Sequence, residues 1–175
     1  AGLFGLDNTA GKDIGNLRFN DVIGGSNAES REDGYYAFGG VFVRSFFQLS
    51  PTLYGAEALP IASPRFDQIF GLFMPAMNGN PVDYTDFAGP LQQWIDAAVW
   101  ALGNLVGSTV SHEIGHSLGL AAYDGQFHNP GDEPNALMDA GNFRPFQERA
   151  TIDGYGPARF NKKNREYLER ILPID

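Results

Sequence analysis

Three histidines make up the whole histidine content of this chain, and all of them fall inside one 17-residue window, His112 to His128. Two of them frame a glutamate in the run His112-Glu113-Ile114-Gly115-His116-Ser117-Leu118-Gly119. Residues four apart share one face of a helix, so a helical His112 and His116 present two imidazoles to one point. That demand fixes the secondary structure here before anything else is known. The surroundings agree with it. Apolar residues recur at helical spacing through Leu91, Trp94, Ile95, Ala98, Val99, Leu102, Leu105 and Val106. Pro90 suits a helix start, while Gly103 and Gly107 weaken the end of this first stretch. A second stretch, Ser108–Leu118, follows it directly or continues it, and Gly119 suits a C-terminal stop.

Two imidazoles at this spacing are a nitrogen ligand pair suited to zinc. Glu113, next to His112, points beside the metal and not at it, where it can take a proton from a water that zinc has acidified. Downstream, Leu120–Asn135 is long and irregular, with Gly125, Pro130, Gly131 and Pro134, and unstructured loops of this length are usually functional. Then comes Asn135-Ala136-Leu137-Met138-Asp139-Ala140-Gly141, a turn-like segment with a methionine. Asn161–Leu172 reads as a closing helix, with Asn161 as its cap and Pro173 after it.

Together, Ser111–Gly119 and Ala136–Gly141 resemble the metzincin zinc metallopeptidases. The resemblance implies an α+β fold: a twisted mixed sheet and an active-site helix above a cleft, with an irregular lower subdomain ending in a C-terminal helix. It implies one domain over residues 1–175, with an upper subdomain over 1–119 and a lower subdomain over 120–175. It makes His112 and His116 zinc ligands, Glu113 the general base and acid, and Met138 the methionine beneath the metal. The substrate would be a protein or peptide, laid along an edge strand. Export, as a secreted or cell-surface bacterial-type protein, follows from the resemblance alone.

The chain departs from the family pattern at the third ligand. That position is Ala122, which cannot bind metal. His128, brought round by a longer glycine-containing loop, is the preferred replacement, and Asp124 is the alternative. The family tyrosine two residues past the methionine is replaced by Ala140, which leaves Tyr155 or Tyr123 as candidate oxyanion stabilisers. Phe143 and Phe146 are candidate walls of a substrate pocket, or else core. Trp94 and Trp100 read as core or interface. A glutamate third ligand from a later helix, as in the other large zinc-peptidase class, has Glu133 as its one candidate, in a segment that does not read as helix. A rival of another kind is a non-catalytic zinc-binding domain of a surface or adhesion protein. The intact Glu113 argues against that, since a structural site gains nothing from a base beside its metal.

Elsewhere the signals are weaker. Gly40–Leu49 and Gln68–Met74 are β-branched or aromatic runs that read as strands, the second stopped by Pro75. A short strand is expected at Leu17–Ile23, and Tyr54–Ala62 is ambiguous. A formal charge of −9 speaks against nucleic acid, whose phosphates need a basic face. Acidic loops at Asp7–Asp13 and Asp83–Asp86 are candidate calcium sites, with a plain solvated surface as the ordinary reading. No cysteine is present, so neither disulfides nor an internal thiolate block on a metal can form. No run approaches the roughly 18 apolar residues of a membrane span. The opening Ala-Gly-Leu-Phe-Gly-Leu-Asp carries no signal peptide.

Overall fold

The computed structural model describes residues 4–6, 40–82, 90–120 and 128–172. Its dominant element is one uninterrupted 27-residue helix, Leu91–Ser117. The two sequence stretches are therefore a single rod, and Gly103 and Gly107 lie inside it. In chain order the elements are strands β1 (Gly5–Leu6) and β2 (Gly40–Val41), then helices α1 (Pro51–Tyr54), α2 (Pro64–Phe70), α3 (Met74–Met77), α4 (Leu91–Ser117), α5 (Phe146–Ala150) and α6 (Lys162–Ile171). Short 3-10 turns at Val43–Leu49, Gly55–Glu57, Gly71–Phe73 and Gly141–Phe143 join them.

This overturns the expected α+β architecture with its twisted mixed sheet. Among the described residues the one sheet is a two-stranded antiparallel ladder that pairs Gly5 with Val41 and Leu6 with Gly40. A ladder of that length offers no long edge on which an extended substrate could lie. The two runs expected as strands are helical for the same reason: their apolar spacing is helical once the window is widened. Phe66, Ile69, Phe70 and Phe73 follow the i, i+3, i+4, i+7 pattern of a helix face, and the first three are buried. The helix starts at Ser63, whose hydroxyl accepts from Arg65 N, followed by a proline in the first turn. Pro75 ends nothing, because it occupies the first turn of α3. In Gly40–Leu49 only the first two residues form a strand. Phe46 and Leu49, three apart, share the inward face of a 3-10 turn. The strand expected at Leu17–Ile23 and the acidic loops Asp7–Asp13 and Asp83–Asp86 lie outside the described residues.

One apolar core holds these pieces. It gathers Phe4, Phe46, Leu49, Phe66, Ile69, Phe70, Ala98, Ala101, Leu105, Phe146 and Ala150. Phe146 packs edge-on to Phe66, with centroids 5.2 Å apart. The core therefore crosses the division at residues 119 and 120, since α5 contributes to the same cluster as α2 and α4. Asp67 of α2 stitches α1 in place: it accepts from the Ser50 hydroxyl and from Thr52 N and Oγ1 at 3.1 and 2.7 Å. Arg65 reaches Asp153 through a forked pair, exposed and so worth little on its own.

On α4 the inward face runs Ala98, Ala101, Leu105, Thr109, His112, His116, at steps of three and four. The first three lie in the apolar core, Thr109 closes it, and the last two leave it. The helix is anchored by its first half and presents His112 and His116 on its second. Its other faces are apolar too, with Val99, Trp100, Val110 and Ile114 exposed. Periodicity alone therefore could not say which face turns inward.

Candidate metal centre

The C-terminal end of α4 closes in a way that builds part of the site. Gly119 takes a positive φ of 89°. Its N–H donates to His116 O, and Leu120 N–H donates to Gly115 O, both at 2.9 Å. This double closure is a Schellman turn, which needs a residue without a Cβ at Gly119. The reversal brings Leu120 O back to Nδ1 of His116 at 3.0 Å. Nδ1 of His112 meets a different carbonyl, Leu137 O, at 2.7 Å. A carbonyl can only accept, so the proton sits on Nδ1 in both rings and Nε2 carries the lone pair. Fixing the far nitrogen on a backbone oxygen is how metal-binding imidazoles are commonly oriented.

His128 completes the cluster. Its ring lies 5.2 Å from that of His112 and 5.1 Å from that of His116, centroid to centroid, and the first two rings are 4.6 Å apart. One ring nitrogen from each lies within 4.8 Å of the others, close enough to hold a metal ion. His116 is buried and His128 is half-buried. Burial, reinforced by His116, pulls His112 from 6.5 down to about 3, so it keeps its lone pair through the neutral range. His128 reaches this point on a segment held by backbone bonds: Asn129 N donates to Met138 O at 2.9 Å, and Leu137 N to Arg159 O at 2.8 Å. The Asn129 side chain pairs with buried Asn164 of α6 at 3.1 Å. Tyr167 OH, also on α6, donates to Leu118 O at the end of α4.

Met138 is 2% exposed and lies against Gly115 of α4. A Cβ at Gly115 would stand 2.5 Å from the Met138 sulfur and 3.3 Å from Phe160. Gly115 therefore lets the segment that carries Met138 approach the helix at a position between His112 and His116 in the chain. Glu113 sits on the other side, where β1 crosses: a Cβ on Gly5 would meet its Oε1 at 2.5 Å and Thr109 Cγ2 at 2.7 Å. Gly5 is the residue that leaves room for this carboxylate.

The remaining candidates are placed as follows. Phe146 is fully buried in the apolar core, which explains why it cannot wall an open pocket. Phe143 is 54% exposed and stacks over Gly131. Tyr155 lies in the turn after α5 and is 37% exposed. Tyr123 and Asp124 lie outside the described residues. Glu133 is exposed and is not part of the histidine group. Trp100 is 57% exposed, its indole N–H donating to Thr151 O.

Sequence reasoning missed the charges beneath the site. Arg144, Glu148, Arg149 and Asp139 are all buried. Arg144 Nε donates to Glu148 Oε1 at 2.9 Å, and Arg149 Nε donates to Arg144 O at 3.1 Å while its guanidinium covers the Phe4 ring. Burial pushes Asp139 up from 3.8 to about 6 against the pull of Arg144. Nothing in a single sequence marks these four as buried, because Arg and Glu are ordinarily surface residues. No family model, curated protein or solved structure matches the chain.

Proposed function

We propose that this chain is a zinc-dependent peptidase domain, with His112, His116 and His128 as the metal ligands and Glu113 as general base and acid. The observation that carries the reading is the convergence of three imidazoles, two of them bonded through Nδ1 to backbone carbonyls. The donor set, three imidazole nitrogens, fits zinc. One ring nitrogen of each lies within 4.8 Å of the others, so the three would hold a zinc ion together. Among the described residues the group is three imidazoles, the number of protein ligands typical of catalytic zinc sites, whereas closed structural sites have four.

Zinc in such a site supplies Lewis acidity and lowers the pKa of water towards about 7. The chain's own groups do the rest. Glu113, adjacent to His112 but directed to a different side of α4, accepts the proton from the attacking water. It then returns that proton to the departing amide nitrogen. His112 stays neutral, and it and His116 keep Nδ1 against Leu137 O and Leu120 O. Met138 fills the space under the helix and keeps water out of it.

Glu113→Gln tests the assignment, since it removes the base and keeps the shape. The variant should retain zinc and lose at least about 100-fold in peptide turnover, the low end of what a general base contributes. Wild-type turnover in this variant would remove Glu113 from the mechanism. A non-catalytic zinc domain, the rival reading, predicts zinc in both proteins and cleavage by neither.

A further inference from the structure

The Leu137 carbonyl that receives the Nδ1 proton of His112 serves a second donor. Nη1 of Arg144 reaches the same oxygen at 3.4 Å, and a carbonyl has lone pairs for both. Arg144 is only 1% exposed, and its partner Glu148 is 5% exposed. A buried ion pair of this kind is commonly no more stabilising than an apolar pair of equal volume. It also spans only four residues, Arg144 to Glu148, so it ties no distant elements together. What it reaches across the fold is the carbonyl behind His112.

We propose that Arg144, held by Glu148, is a positioning residue for His112. The guanidinium pins the Leu137 carbonyl, the carbonyl keeps the proton on Nδ1, and Nε2 is thereby aimed at the point shared with His116 and His128. Arg149 supports the arrangement from behind by donating to Arg144 O. The role rests on the metal-centre reading given above, and it adds a residue 32 positions downstream of the ligand it serves.

Two readouts test it: imidazole nitrogen shifts of His112 in the metal-free protein, and zinc affinity by chelator competition. The variants are Arg144→Lys, which keeps charge but lacks the fork, and the double variant Arg144→Met with Glu148→Met, which removes both members of the ion pair together. The expected result is a mixed His112 tautomer and a zinc affinity lower by about 10–100-fold, with lysine losing less than methionine. Phe70→Leu, a core change on α2, should lower the melting temperature and move neither readout. Folded variants with unchanged His112 nitrogen shifts and zinc affinity within about twofold of wild type would overturn the proposal. If the double variant does not fold, Arg144→Lys decides by the same criteria. A wild type that takes no zinc would sink the metal reading, while the tautomer measurement would still judge the positioning role.

Discussion

At the scale of single residues, two small side chains and one buried acid carry testable weight. Gly115 is the point where Met138 meets α4, so Gly115→Ala sets a methyl against the methionine sulfur. Overpacking of this sort costs about 1–3 kcal/mol. Because the clash lies between two ligand histidines, zinc affinity should fall together with thermal stability; a loss of neither would mean that Met138 simply swings away. Gly5 plays the matching part on the other side, where it makes room for Glu113. Asp139 is the titrating residue to follow. Its folded value of about 6 lies above the ordinary 3.8, so the folded state holds the proton more tightly than the unfolded chain does. Stability contributed by this group therefore falls as pH rises from about 4 to about 6. His112, with its folded value lowered to about 3, acts in the opposite sense, its contribution rising with pH up to about 6.5. The two overlap, so the test is a difference. The melting temperature of Asp139→Asn minus that of wild type should grow from about pH 4 to about pH 6 and then level off, and a flat difference would place the Asp139 titration elsewhere. Of these residues only His112, Glu113, His116, His128 and Met138 announce themselves in the sequence, through spacing and rarity. Asp139 looks like any turn aspartate, and Arg144, Glu148 and Arg149 look like surface charges. What buries them is the docking of α5 onto α4, a long-range event with no local signature.

Among the elements, α4 governs the molecule. Its first half is fixed by Ala98, Ala101 and Leu105 in the core, and its second half offers histidines on the same face. Leu105→Ala should cost about 2–5 kcal/mol, read by denaturant unfolding. The metal-free histidine cluster should survive in the folded fraction, since the bonds that orient it come from residues 120 and 137. A variant that kept full stability would show that Leu105 is not the anchor its burial implies. The start of α4 after Pro90 and its stop at Gly119 are legible in the sequence; its continuity through Gly103 and Gly107 and its inward face are not, because two glycines interrupt the pattern and apolar residues surround the helix. The closing helix α6 is legible from Asn161, whose side chain accepts from Asn164 N at 2.9 Å. The runs at 40–49 and 68–74 look like strands because aromatic residues favour both states, and only the spacing to Phe66 and back from Leu49 to Phe46 separates them.

Across the described residues, the end of α4 meets the segment that carries His128, and the histidines lie there. His112 and His116 come from α4, and His128 comes from the segment that α6 holds through Asn164. A ligand bridging the two adds its binding free energy to folding. Chelation should therefore lower the melting temperature, and added zinc should restore it. The described residues show no helix long and apolar enough to cross a membrane. The metzincin resemblance is confined to the ligand window and the methionine turn and misleads on the sheet, because a motif constrains the residues that form it and leaves the scaffold around them free. The most direct test of the account is zinc stoichiometry by elemental analysis, wild type beside His128→Ala. The three-histidine centre predicts about one zinc per chain in the wild type and most of it lost in the variant, with the helical circular dichroism of the two alike. Full zinc in His128→Ala, or none in the wild type after reconstitution, would contradict it.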